Sequence, residues 1–119
     1  MQSEELTPIF CFPTVVVTAF KPEFLDAVRA VSEDNFEPQD INEIYPVKMT
    51  GNLTDDPRMH DFCEYVGSSA WQILNNQGSD MTGASTFFTE MWTQEHHKHS
   101  QMEQHVHGNG AQLVGFYFL

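Results

Sequence analysis

Glu103-Gln104-His105-Val106-His107-Gly108-Asn109-Gly110, followed at once by Ala111-Gln112-Leu113-Val114-Gly115-Phe116-Tyr117-Phe118-Leu119, is the stretch on which the reading of the fold turns. In an extended segment, residues two apart project from the same face. His105 and His107 can therefore direct their imidazoles at one ion, with Val106 on the opposite side. Neutral imidazole suits iron, zinc, copper or nickel. Glu103 shares that face, but an i, i+4 separation along a strand spans about 13 Å, so it reads as an outer or surface group rather than a ligand. A short glycine turn and a strongly apolar strand come next, the pattern with which a metal-binding β-barrel builds its sheet.

Three more histidines lie just upstream in Glu95-His96-His97-Lys98-His99-Ser100. Their neighbours are Gln, Glu, Lys and Ser, the composition of a solvated loop, and a loop from Glu95 to Met102 is expected. Before it the pattern has a period of two. Thr86, Phe88, Glu90 and Trp92 fall on one face, and Phe87, Thr89, Met91 and Thr93 on the other. Bulk on both faces predicts a strand covered on both sides.

Further toward the N-terminus the period becomes helical. Asp56 is a fitting N-cap, Pro57 suits the first helical position, and Gly78 can close the helix in the left-handed conformation. Between them Met59, Phe62, Cys63, Val66, Ala70, Ile73 and Leu74 form an apolar stripe, which predicts a helix over Pro57 to Asn76 buttressing a sheet. Pro22 opens a second helical pattern, with Phe24, Leu25, Val28 and Val31 on one face, ending near residues 32–35. Residues 36–56 are polar and turn-rich, a connection with one short extended piece at 44–47. Residues 8–20 are rich in β-branched and aromatic types and read as one or two strands interrupted at Pro13.

Composition bounds the whole. The 119 residues make one domain, and 40% apolar content with ten phenylalanines argues for a packed core. A net charge of −12 repels phosphate backbones, which weighs against direct nucleic-acid binding and against anionic membranes. Arg29 and Arg58 fall on the expected helices, where a solvated or salt-bridged role is ordinary. Cys11 and Cys63 form no metal-ligand spacing, and Cys63 on the apolar stripe reads as a buried reduced thiol. The start of the chain lacks the basic region of a secretion signal, and the apolar run 14–20 is too short to span a bilayer. The expected setting is soluble and cytoplasmic.

Together, Trp92-Thr93-Gln94, His105-Val106-His107-Gly108 and Gly115-Phe116-Tyr117-Phe118-Leu119 resemble the 2-oxoglutarate/Fe(II)-dependent oxygenases of the small phage and bacterial type. Phe12-Pro13-Thr14 resembles that family's opening strand. The run from Glu90 to His99 is most similar to members encoded by marine tailed bacteriophages. The resemblance covers essentially the whole chain and is most specific from 90 to 119.

It implies an α+β fold: the N-terminal part of a double-stranded β-helix, a jelly-roll or cupin-like barrel, with two supporting helices. It also implies Fe(II) as cofactor, 2-oxoglutarate as small-molecule co-substrate, and His105 and His107 as metal ligands. His107 stands where most of the superfamily has a carboxylate. The family continues to a distal histidine ligand and a basic residue that binds 2-oxoglutarate, and neither matches a position here. The expectation is a truncated domain, inactive by itself, ending in mid-strand. By the same resemblance the compartment would be the cytoplasm of a phage's host. A protein side chain, a small metabolite and a nucleobase stay open as substrates, the acidic surface weighing against the last. Two alternatives share the architecture. One is a cupin, with Gln112 near the place of its Glu ligand; the other is a non-catalytic phage structural or assembly protein.

Overall fold

A computed structural model describes residues 15–38, 47–102, 104–108 and 110–119. Helix α1, Leu25–Asn35, is entered through a 3-10 turn, Pro22–Phe24. Pro22 presets the backbone torsion of the first turn, and Glu23 and Asp26 place negative charge at the positive end of the helix dipole. Val28, Val31 and Ser32 are buried on one face, as the apolar spacing requires. The Asn35 amide donates to the Val31 carbonyl at 2.8 Å near the C-terminus.

Helix α2, His60–Asn76, follows a second 3-10 turn, Pro57–Met59. The Asp56 carboxylate accepts from the Arg58 backbone N–H at 2.9 Å, which is the expected cap. At the far end Ser79 N–H bonds the Leu74 carbonyl and Gly78 N–H the Asn75 carbonyl, both at 3.1 Å. That is a Schellman closure, and it requires the φ of +98° that Gly78 adopts without a Cβ penalty. Arg58 links the two helices through Asp34 at 2.7 Å and Asp56 at 2.8 Å, the salt-bridged role expected of it.

The sheet among the described residues has two antiparallel strands: β1, Val47–Met49, and β2, Gln94–His96. Val47 faces His96, and Met49 faces Gln94. The pairing continues past Met49 and Gln94. Thr50 N–H donates to the Thr93 carbonyl at 3.1 Å, and Leu53 N–H to the Met91 carbonyl at 2.8 Å. On the other edge of β1, Glu37 N–H donates to the Met49 carbonyl at 2.8 Å, and Phe36 bridges Thr50. Ser32 Oγ, 2.7 Å from Thr93 Oγ1, clamps α1 onto this ribbon.

The core lies where these elements meet: Val28, Val31, Leu53 and Met59, with Phe24, Phe62, Cys63, Met91 and Tyr117 packed against it. Only the first turns of the α2 stripe reach it. Cys63 is half-buried, and burial followed by the nearby Glu64 charge pushes its thiol above the ordinary range. Cys11, Pro13 and the Phe12–Thr14 motif lie outside the described residues, as does most of the extended piece at 44–47.

Four strand expectations and one loop expectation from the sequence differ from what is observed. Residues 15–20 are exposed and unladdered, and β2 extends to His96, into the loop expected from Glu95. Residues 86–92 form no strand, because Thr86 Oγ1 donates to the Gly67 carbonyl at 2.7 Å and Trp71 Nε1 to the Ala84 carbonyl at 3.1 Å. These bonds lay its beginning on α2, while Met91 continues the ribbon through Leu53. Residues 105–107 and 111–119 also carry no ladder. An extended segment becomes a strand only where a neighbour supplies donors and acceptors in register. The sheet formed by the described residues does not close. No helix among them is long and apolar enough to cross a membrane.

Candidate metal centre

His105 and His107 come together although no ladder holds them. Their ring centroids are 5.1 Å apart, and the planes meet at 72°. Val106 between them is 89% exposed and borders the same cleft. Imidazoles bound to one ion through nitrogens about 2.1 Å from it have centroids roughly 5 Å apart. The pair therefore fits a two-imidazole site.

His107 has two neighbours of its own. Its Nδ1 lies 3.8 Å from Glu90 Oε1, and its ring is tilted 31° to the Trp92 indole at 5.8 Å. The ring is half-buried, with 27% of the side chain exposed, whereas Glu90 keeps 48%. Both rings open on a cleft of about 390 Å³, whose other wall carries Thr50, Asn52, Gln94 and Met102. Asn52 is committed to the backbone there, its Oδ1 accepting from Met91 N–H at 3.1 Å and Thr54 N–H at 3.2 Å. The cleft is thus anchored on the β1–β2 ribbon and its continuation.

The upstream histidines are arranged differently. His97 Nε2 is 3.1 Å from Glu95 Oε1, and His96 Nε2 is 3.2 Å from Gln94 Oε1. Ser100 closes a turn back to His97, its Oγ accepting from His97 N–H at 2.9 Å, and His99 adopts φ +71°. These rings sit on an exposed turn with local partners, not around the His105–His107 cleft.

Among the described residues, no group of three or more His, Cys, Asp or Glu side chains is placed to hold an ion. Glu103, expected to be an outer group, lies outside them. The residue that sequence reasoning passed over is Glu90. Its signal was present, since the period-two reading of 86–93 put Glu90 on the face of Trp92, and both meet His107. What could not be seen is that this face turns toward His107. A larger cleft, about 650 Å³, opens between α2 and residues 84–88. Cys63 and Glu64 are the titratable groups among its described lining residues. No family model, no curated protein and no solved structure matches this chain.

Proposed function

We propose that the chain belongs to an Fe(II)- and 2-oxoglutarate-dependent oxygenase domain of the double-stranded β-helix type, with His105 and His107 as two of the metal ligands. The observation that supports this reading is the convergence of the two imidazoles on one cleft, beside Trp92 and Glu90. Fe(II) together with 2-oxoglutarate would supply the oxidising power for hydroxylating a substrate C–H bond. The residues here contribute binding and orientation. His105 and His107 would hold the ion through ring nitrogens, with the Trp92 indole 5.8 Å from the His107 ring to orient it. The third ligand and the cation that clamps 2-oxoglutarate are unassigned. Arg58 does not fill the second role, because its guanidinium is committed to Asp34 and Asp56. The protein acts in the cytoplasm, that of a bacterial host if it is phage-encoded.

Calorimetric titration of the metal-free protein with Fe(II) under anaerobic conditions tests the ligand assignment. One weak site is expected in the wild type, lost in His105→Ala and in His107→Ala and kept in His99→Ala. Equal loss in His99→Ala would move the site to the upstream turn. No binding in any of the four proteins would favour a non-catalytic scaffold.

A further inference from the structure

Glu90 is the one carboxylate among the described residues that touches the His105–His107 pair, and it does so at a particular atom. Its Oε1 lies 3.8 Å from Nδ1 of His107, on the ring nitrogen next to Cβ. Resting on the metal-site reading above, we infer that Glu90 is a positioning residue: it accepts the Nδ1–H of His107 and thereby presents the Nε2 lone pair of that ring for ligation. The chemistry is that of a carboxylate set behind a ligating imidazole. A neutral imidazole carries its proton on one nitrogen only, and an acceptor at Nδ1 fixes it there. The remaining nitrogen is then an acceptor, more basic than in an unassisted ring.

Three features of the geometry carry the inference. The Glu90 carboxylate is within ion-pair distance of His107 Nδ1, at 3.8 Å, and its half-exposed side chain leaves room for the shorter hydrogen bond that the inference requires. The Trp92 indole, 5.8 Å from His107 and tilted 31°, restricts turning of the ring and so limits exchange of the two nitrogens. His105 meets His107 edge to face at 5.1 Å, a separation that leaves both rings able to reach one ion. Glu90 and Trp92 lie two apart on the segment continued by the Met91–Leu53 hydrogen bond, so the ribbon sets the position of both.

The test reads the tautomer directly, in metal-free protein. Nitrogen-15 chemical shifts and two-bond ring correlations of His107 are recorded at about pH 8.5, above the ordinary imidazole range. The wild type is expected to be mainly in the Nδ1–H form. Glu90→Ala should shift it toward the Nε2–H form, and Glu90→Gln, whose amide oxygen still accepts, should restore it. In a second arm, Co(II) serves as the probe for the ion, and Glu90→Ala should weaken its binding about tenfold, with Glu90→Gln nearer the wild type. An unchanged tautomer in Glu90→Ala would overturn the inference. Loss of Co(II) binding in Glu90→Gln as complete as in His107→Ala would also overturn it, by making Glu90 a ligand itself. Failure of the wild type to bind Co(II) would remove the metal-site reading, while the tautomer arm still decides the role of Glu90.

Discussion

The Tyr117 hydroxyl donates to the Lys21 carbonyl at 2.6 Å, joining the segment after the histidine pair to the residue that opens α1. The Tyr117 ring also lies 5.1 Å from that of Phe62 on α2. One side chain therefore ties residues 111–119 to both helices. Its neighbours Phe116 and Phe118 are 84% and 88% exposed. The period-two alternation of a strand is present there without a ladder.

Tyr117→Phe removes only the hydroxyl and should cost about 1 kcal/mol, because the half-exposed Lys21 carbonyl can turn to water. Tyr117→Ala also removes the contact with Phe62 and should cost about 2–4 kcal/mol. Urea denaturation of the two variants, followed by fluorescence, measures the difference. Equal losses would mean that the ring contributes nothing.

Phe116→Glu combined with Phe118→Glu should reduce self-association and leave stability unchanged. Both rings are solvent-facing, and exposed apolar rows promote association. Light scattering across a concentration series reads the first effect and a melting curve the second. A marked fall in melting temperature would show that these rings pack in solution.

Met59 is 1% exposed at the junction of α1, α2 and the ribbon. Met59→Ala should destabilise by about 2–5 kcal/mol, a large share of what a domain of this size has. Met102→Ala, at a side chain 40% exposed, should change stability by less than about 0.5 kcal/mol. Chemical denaturation compares them.

Arg58 holds the Asp56 carboxyl below the ordinary aspartate range, first through its side chain and then through its backbone N–H. The folded value is the lower one, so the cap's contribution is complete above the unfolded value and lost as pH falls through the folded one. Asp56→Ala should lower the melting temperature by a few degrees at neutral pH, with the gap from wild type closing on acidification. Circular dichroism at 222 nm over a pH series shows whether the two curves converge.

Succinate formation gives a functional check on the site. With two imidazoles and no third ligand among the described residues, residues 1–119 should form no succinate above a protein-free blank in the presence of Fe(II), ascorbate, oxygen and 2-oxoglutarate. Succinate that disappears in His105→Ala would require a further ligand from within these residues.

The two helices were legible in the sequence because their determinants are local. Asp56, Pro57 and Gly78 act within one turn of where they stand, and the spacing of Val28 and Val31 or of Met59 and Phe62 selects the buried face. The His105–His107 pairing was legible too, since residues two apart in extended backbone share a side whether or not a neighbour strand is present. The strands were not. Thr86–Trp92 has the alternation of a strand, yet the hydrogen bonds of Thr86 and Trp71 commit its beginning to α2. The pairing partner of Val47–Met49 is instead Gln94–His96, inside a stretch whose composition suggests a loop. Strand pairing joins residues nearly fifty positions apart, and nothing in a residue's immediate neighbours encodes the choice. The same holds for Glu90 and His107. Each residue type and its local face could be read from the sequence, but only the tertiary path of the ribbon brings that carboxylate to Nδ1 of that ring.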